Sequence, residues 1–296
     1  MSKEKFFIKL VTTKIIFLMI FLIFSSEFFI RKFVINSDDV YQRTLLYKKR
    51  ISKNTIWGDS ASLKGINNMK NFINFSGPSD NYQEIEKKIK NYYGNNKGGK
   101  VIIHLSLNGL AKYRDRKIRK DRLKLYFEKD PILFVLNNRY QRRVYKYIIT
   151  YIRNGFNLKN KSTINEDGSI SSRNIYVPLS IKKVNKNHKY LPKEDFLDDK
   201  NLKALLRTIE YLNKNEIKIC FITTPWNKSF RENEIDMNKF IKIRNFYNKL
   251  ALEKNISYFD FLEYPLSNIY FSDQSHLNLE GSKILTPLVE NYCKEV

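Results

Sequence analysis

Three residues whose side chains could act together in catalysis stand in two short motifs at opposite ends of this 296-residue chain. Ser60 lies in residues 55–62 (TIWGDSAS), and Asp273 and His276 lie in residues 272–278 (SDQSHLN). A serine hydroxyl is a weak nucleophile unless a base takes its proton. An imidazole whose tautomer is fixed by a carboxylate is such a base. The chemistry that these residue types suggest is therefore nucleophilic attack by a serine.

The other two histidines lack a carboxylate at short, fixed spacing. His104 lies inside the apolar run 101–106, which favours a buried core histidine. His188 lies in a polar stretch and is expected to face solvent. His276 is therefore the one histidine whose surroundings in the sequence suit a general base.

Alternating apolar runs and helical patterns surround these motifs. Strands are predicted at 54–57, 71–76, 101–106, 217–223 and 257–261, and helices at 83–93, 196–215, 237–254 and 278–291. Such alternation is typical of a parallel sheet with right-handed crossovers. Ligands bind outside the carboxyl ends of such strands. Ser60 follows the first strand and His276 follows the last, so they meet only if both strand ends face one crevice.

The two motifs, in this order, resemble those of the SGNH (GDSL-type) hydrolases. The resemblance covers roughly residues 50–296 and implies a three-layer, flavodoxin-like α/β fold with a central parallel sheet. It implies Ser60 as nucleophile, His276 as general base and Asp273 as its orienting carboxylate. Gly58 and Asp59 complete the first motif, and Asp59 is expected to orient the turn rather than to react.

Acyl transfer also needs donors that stabilise the developing oxyanion. The Ser60 N–H is the first candidate, and the resemblance suggests Gly77 and Asn108 as the others. The chain departs from the family pattern because Ser106 stands where a glycine is expected. Asn108 is therefore equally well interpreted as a turn residue before Gly109, with Asn81 as an alternative donor.

Two residues after the predicted strand 217–223 could line a substrate pocket. Thr224 and Trp226 follow the carboxyl end of that strand. An aromatic side chain beside a turn is also common in core packing, so both interpretations stay open.

The chain carries a formal net charge of +24, and its 42% hydrophobic content argues against disorder. Residues 111–153 hold 14 Lys or Arg against 4 Asp or Glu, with interleaved aromatic residues. Such a pattern fits a groove for single-stranded nucleic acid or amphipathic helices with a charged outer face. Because the positive charge is spread along the chain and no nucleic-acid-binding motif occurs, no nucleic-acid partner is expected. We predict an inserted helical and loop region at about 111–194, in which 154–194 forms an extended loop or hairpin.

The N-terminus has Lys3, Lys5 and Lys9 before an apolar stretch that extends from Leu10 to Ile30. Its length and the lack of a small-residue cleavage site favour an uncleaved signal anchor, with a cleaved signal peptide as the alternative. Basic N-terminal residues stay in the cytoplasm. The expected organisation is a cytoplasmic tip and transmembrane anchor at 1–32, a linker at 33–50 and an extracytoplasmic domain at 51–296.

Cys220 and Cys293 do not form a disulfide framework, and Cys220 fits a small core residue, although a bond between them is open. No clustered Cys and His ligands occur, so neither a metal nor another cofactor is expected.

An anchored domain of this kind resembles bacterial proteins that add or remove acyl groups on cell-envelope polymers. The expected function is O-acyl transfer, such as acetyl transfer, to a cell-envelope polysaccharide through an acyl-serine. The resemblance also implies a multi-span membrane O-acyltransferase as a partner. Ester hydrolysis is the first alternative. A non-catalytic scaffold that binds an anionic polymer or a membrane partner is the second.

Overall fold

The computed structural model describes residues 3–35, 38–114, 118–137, 140, 144–145, 148–149, 152–153, 162–176, 196–234 and 237–294. The chain divides into two compact units. The first comprises Met1–Leu45 and Phe127–Lys159, and the second comprises Leu46–Tyr126 and Asn160–Val296. The predicted insertion at 111–194 is therefore divided between them. His188, which was expected to face solvent, lies outside the described residues.

The second unit is built on a parallel sheet. Its strands are β1 (Asn54–Trp57), β2 (Ile73–Asn74), β3 (Lys100–His104), β6 (Lys218–Thr223) and β7 (Ser257–Asp260); β4 (Ser162–Ile164) and β5 (Ile170–Ser172) form a separate antiparallel pair. The strand order β2-β1-β3-β6-β7 is the flavodoxin-like order, whose ligand crevice lies between β1 and β3. The predicted α/β fold with a central parallel sheet is confirmed.

Helices cover both faces of this sheet. The helices whose bounds lie within the described residues are α1 (Lys3–Phe29), α2 (Asp39–Lys49), α3 (Ser60–Gly65), α4 (Tyr82–Tyr93), α5 (Lys120–Phe127), α6 (Lys200–Lys214), α7 (Asn238–Glu253) and α8 (Leu279–Lys294). One apolar core joins the sheet to α4, α6 and α7. A second core joins the opposite sheet face to α8. The strands β1, β3 and β6 are thus buried on both sides, which explains their nearly continuous apolar runs, whereas the edge strand β7 is partly exposed.

Local capping explains where several elements begin. Asp59 accepts a hydrogen bond from the Ala61 N–H and opens α3 directly after β1. Asn81 and Glu84 form a reciprocal capping box at the start of α4. Asp199 caps α6, so that helix begins at Lys200, and Phe196–Asp198 forms a short 3₁₀ turn instead of part of the predicted helix. Strand β2 is also shorter than predicted.

A disulfide joins Cys220 on β6 to Cys293 on α8, across 73 positions of sequence. Both residues are fully buried. The interpretation of Cys220 as a simple core residue is therefore corrected, and the bond that the sequence left open is present. It ties the sheet to the last helix, which follows the histidine motif.

The first unit contains an apolar N-terminal helix. Among the described residues, one segment, Phe7–Phe33, is long and apolar enough to cross a membrane, with mean hydropathy of 2.3. The predicted linker at 33–50 begins within the short π-helix Ile30–Ile35 and contains all of α2.

Candidate active site

The Ser60 hydroxyl and the His276 ring lie within hydrogen-bond distance. The His276 Nε2 is 2.7 Å from the Ser60 Oγ, across 216 positions of sequence. Ser60 is the first residue of α3, directly beyond the carboxyl end of β1. The sequence-based condition that the two motifs share one crevice is therefore met in this geometry.

The Asp273 carboxylate holds the other side of the His276 ring. The His276 Nδ1 lies 2.7 Å from Oδ1 and 2.8 Å from Oδ2 of Asp273. A protonated Nδ1 donates to this carboxylate, which leaves Nε2 free to accept the Ser60 proton. The three side chains thus have the contacts of a nucleophile, a general base and an orienting carboxylate.

The loop itself fixes this carboxylate. Asp273 Oδ1 accepts hydrogen bonds from the backbone N–H groups of Ser275 and His276, with N···O distances of 3.1 and 3.0 Å. The Ser272 N–H closes the loop by donating to the His276 carbonyl at 2.8 Å. The short spacing in the motif therefore places the carboxylate behind the ring by local hydrogen bonds, before any tertiary contact.

Burial and charge act in opposite directions on Asp273. Burial raises the pKa of Asp273, but the hydrogen bond and charge of His276, with a smaller contribution from Lys64, bring the net pKa below its ordinary value. The Lys64 Nζ lies 3.9 Å from Asp273 Oδ2. The carboxylate is thus kept ionised, as an orienting partner of an imidazolium requires.

The site is open to solvent. The side chains of His276 and Asp273 are 20% and 39% exposed, and Ser60 is partly exposed. A substrate can therefore reach the hydroxyl. Among the described residues, no group of three or more His, Cys, Asp or Glu side chains is placed to hold a metal ion.

Behind the serine lies a buried ionic cluster centred on Asp59. Asp59 Oδ2 is 2.7 Å from Arg114 Nη2, and Asp59 Oδ1 is 3.3 Å from His104 Nδ1. All three residues are at most 5% exposed. Burial raises the pKa of Asp59, but His104 and Arg114 together lower it well below its ordinary range. Asp59 caps α3 as a buried carboxylate, and its role in orienting the turn stays a prediction.

His104 proves to have a carboxylate beside it, contrary to the sequence-based argument. That carboxylate belongs to Asp59, on the neighbouring strand end. The His104 Nε2 lies 3.0 Å from the Thr224 hydroxyl. Because Asp59 and Thr224 occupy both edges of its ring and the residue is 3% exposed, His104 is a structural histidine, as the apolar run indicated.

Gly58 is required by the close approach of two strand ends. A Cβ atom at Gly58 would lie 2.6 Å from the His104 Cβ and would also overlap the Ser62 hydroxyl. Real Cβ atoms do not approach so closely. The glycine of the first motif therefore lets the turn that carries Ser60 pack against β3.

The predicted oxyanion donors differ in their surroundings. The Ser60 N–H is the first of α3 and has no acceptor within the helix. The Gly77 N–H donates to the Gly58 carbonyl at 3.0 Å, so it would have to leave that bond to act on a substrate. Asn81 uses its side chain to cap α4 and to contact the Arg114 carbonyl, which opposes its use as an alternative donor.

Asn108 lies on the 3₁₀ turn Leu107–Leu110, which follows β3. Among the described residues, its buried Oδ1 has no hydrogen-bond partner. A buried amide oxygen without a partner is unusual in a plain turn residue. The donor role of Asn108 stays a prediction.

Thr224 and Trp226 are in the interior of the second unit. Thr224 is 1% exposed and is bonded to His104. Trp226 is 5% exposed and packs edge-on against Phe230 and Phe240. These contacts favour the core-packing alternative over the pocket-lining one.

Sequence comparisons give no further assignment, since neither a family model nor a curated protein matches the chain. Solved structures with related folds include a protein of Bacteroides fragilis NCTC 9343 (11% identity, 86% of this chain and 95% of that chain, TM-score 0.45). They also include a lipase/acylhydrolase from Enterococcus faecalis (13%, 82% and 96%, TM-score 0.42) and a GDSL-like lipase from Bacteroides thetaiotaomicron VPI-5482 (10%, 87% and 99%, TM-score 0.42). Likeness at these scores decides neither the family nor the activity of this chain.

Proposed function

We propose that this protein is a serine-dependent acyl-ester enzyme that works through an acyl-serine intermediate. The observation that carries the proposal is the 2.7 Å contact of His276 Nε2 with Ser60 Oγ, with Asp273 on the other ring nitrogen. Asp273 holds the ring so that its unprotonated nitrogen faces the hydroxyl.

The proposed reaction has two half-steps. Ser60 Oγ attacks the ester carbonyl carbon while its proton passes to His276 Nε2. The tetrahedral intermediate collapses, the carbonyl–oxygen bond to the leaving alcohol breaks, and that alcohol takes the proton from His276. A second hydroxyl then attacks the carbonyl carbon of the acyl-serine and gives its proton to His276. The bond between that carbon and Ser60 Oγ breaks, Ser60 takes the proton back from His276, and the acyl group leaves bonded to the second hydroxyl oxygen.

The second nucleophile decides between transfer and hydrolysis. A sugar hydroxyl gives O-acyl transfer, and water gives ester hydrolysis from the same intermediate. We propose transfer of an acyl group, such as acetyl, to a cell-envelope polysaccharide, with hydrolysis on the same kind of substrate as the alternative. A multi-span membrane O-acyltransferase that supplies the acyl group is the proposed partner.

Three features support a location outside the cytoplasm. The segment Phe7–Phe33 is apolar enough to anchor the chain, and Lys3, Lys5 and Lys9 precede most of it, as in helices whose N-terminus stays in the cytoplasm. The Cys220–Cys293 disulfide is typical of an oxidising compartment. We propose a single-pass membrane protein whose second unit is extracytoplasmic.

The experiment uses the purified full-length protein with an activated acetyl ester, with and without an oligosaccharide acceptor. Release of the leaving group tests for ester cleavage, and mass spectrometry of the oligosaccharide tests for transfer. Ser60→Ala should abolish both signals, whereas Ser267→Ala, which removes an exposed hydroxyl that makes no capping bond, should leave them unchanged. Full activity of Ser60→Ala would reject the mechanism, and acetate release without acetylated sugar would select hydrolysis.

A further inference from the structure

A carboxylate near the end of the anchor helix is buried by a distant part of the chain. Glu27, on α1, is 5% exposed, although most apolar side chains of this helix are exposed. Its Oε1 lies 2.6 Å from Arg31 Nε, and its Oε2 accepts the backbone N–H of Val135 at 3.0 Å. Residue 135 is therefore fixed beside the last turns of α1.

Arg31 makes a second attachment to the same segment. Its Nη2 donates to the Ile132 carbonyl at 2.7 Å. Its guanidinium also lies 4.8 Å from the centre of the Phe134 ring, within cation–π range. Backbone and side-chain contacts together thus hold residues 132–135 against residues 27–31.

The segment is anchored from its other side by aromatic packing within the same unit. Phe134 and Tyr140 are each 1% exposed, with ring centres 4.7 Å apart. Tyr41, on α2, packs against both rings, and its hydroxyl donates to Asp130 Oδ2 at 2.9 Å. The position of the segment relative to the end of the anchor is therefore defined by several independent contacts.

Large apolar side chains of this well-anchored segment nevertheless face outward. Ile132 is 91% exposed and Leu136 is 62% exposed. Three further described residues of the unit are also exposed, namely Tyr145, Ile148 and Ile152, and their spacing of three and four positions is that of one helix face. Exposed apolar side chains on a segment that is hydrogen-bonded to a membrane anchor indicate a surface that meets lipid.

The depth of this surface in the bilayer follows from its contacts with the anchor helix. The apolar segment ends at Phe33, so Glu27 and Arg31 belong to its last turns, where hydrocarbon gives way to headgroups. Residues bonded to them lie at the same depth. Apolar side chains of interfacial segments enter this boundary, and their backbones stay among the headgroups.

We propose that residues 130–136 form an interfacial seat, in which Ile132 and Leu136 insert into the outer leaflet beside the anchor helix. The ligand is the acyl-chain and headgroup boundary of the bilayer. The inference rests on the membrane anchoring included in the proposed function and is independent of the acyl-ester chemistry. The Glu27–Arg31 pair then has a definite role, since it joins the seat to the anchor and satisfies a carboxylate at the edge of the hydrocarbon.

The test is depth-dependent quenching in the full-length protein reconstituted into phosphatidylcholine vesicles. Single Ile132→Cys, Leu136→Cys, Leu18→Cys and Leu252→Cys variants are labelled with the fluorophore NBD. The native cysteines are joined in a buried disulfide and do not compete for the label. Leu252 is a matched control because it is 83% exposed and lies in the second unit, and Leu18 reports the anchor.

A lipid whose nitroxide lies near the glycerol end of the acyl chain should quench most of the NBD fluorescence of labels at positions 132 and 136. It should quench little of the fluorescence of a label at position 252. A nitroxide placed deep in the chain should quench position 18 more strongly than 132 or 136. Quenching at 132 and 136 no greater than at 252, with position 18 quenched, would overturn the interfacial seat and leave the anchor intact. Absence of quenching at position 18 as well would overturn both.

Discussion

The guanidinium of Arg114 lies 2.7 Å from the carboxylate of Asp59. Asp59 directly precedes Ser60, the candidate nucleophile, in the chain. Both partners are almost fully buried. We expect Arg114→Met to destabilise the second unit by about 3–5 kcal/mol, because the substitution removes the guanidinium 2.7 Å from a buried carboxylate. Urea unfolding followed by tryptophan fluorescence measures the change.

Arg207 provides the control for that experiment. It also pairs with a carboxylate at 2.7 Å, that of Glu86, but its side chain is 51% exposed. Arg207→Met should lower the free energy of unfolding by at most about 1 kcal/mol, since solvent screens the exposed guanidinium and Glu86 keeps its ion pair with Lys90 at 2.8 Å. Equal losses in the free energy of unfolding for the two substitutions would show that the Asp59 cluster does not depend on Arg114.

Asp273→Asn tests the role of the orienting carboxylate. An amide in this position no longer favours the proton on Nδ1 of His276, so Nε2 is no longer held ready for the Ser60 proton. We expect kcat for ester cleavage to fall by about 10³- to 10⁴-fold with a much smaller change in KM. Glu280→Gln, the same chemical change at an exposed residue at the start of α8, should leave kcat unaltered, and a similar loss in both variants would contradict the assignment.

The buried disulfide should contribute to stability. The bond closes a loop across 73 positions of sequence. In the chain-entropy account, the entropy that this loop removes from the unfolded chain stabilises the folded state by about 4 kcal/mol. Replacing both Cys220 and Cys293 with alanine should lower the free energy of unfolding by that order. Adding a reductant to the denaturant series should reproduce the loss in the native protein and change nothing in the double variant. A native protein whose unfolding midpoint ignores reductant would contradict the role of the bond.

Acid should weaken the second unit through Asp80. Burial raises the pKa of Asp80, but Lys88, Arg122 and Arg119 bring it down to about 2. The folded pKa lies below the ordinary unfolded value, so this stabilisation is present above about pH 4 and is lost as the pH falls toward about 2. The contribution of this carboxyl is about 2 kcal/mol.

The measurement is the urea midpoint near neutral pH and at about pH 3. The Asp80→Asn variant should be less stable than the native protein at neutral pH. Its stability should fall less on acidification, because residue 80 then has no carboxyl to protonate. Asp121→Asn, at an exposed position on α5, should follow the native pH dependence. The same acid loss in Asp80→Asn as in the native protein would exclude Asp80 as a source.

The sheet and the edge that carries Ser60 were predictable because their signals are local or periodic. Strand β1 is found at the predicted residues, and alternation of strands with helices determines a parallel sheet. The Asp273–His276 contact was also predictable, since backbone hydrogen bonds within five residues place the carboxylate behind the ring. Gly58 had a recognisable place in the motif, and the structure supplies its steric reason in the approach of His104.

Contacts between distant elements without a distinctive pattern were not predictable. Arg114 lies at the start of a segment rich in Lys and Arg, and nothing in the sequence distinguishes it from its neighbours. The carboxylate beside His104 comes from another strand end, and the Cys220–Cys293 pairing depends on where α8 crosses the sheet. The Gly77 N–H likewise has a backbone partner that only the register of neighbouring segments could reveal.

Covalent labelling of Ser60 tests the central claim most directly. A fluorophosphonate is attacked only by a serine whose proton is removed by a base, and the adduct is stable. Intact-mass and peptide mass spectrometry of the full-length protein should find one adduct on the peptide that contains Ser60, and Ser60→Ala and His276→Gln should prevent it. An unmodified native protein, or an adduct on another residue that survives in Ser60→Ala, would contradict the account.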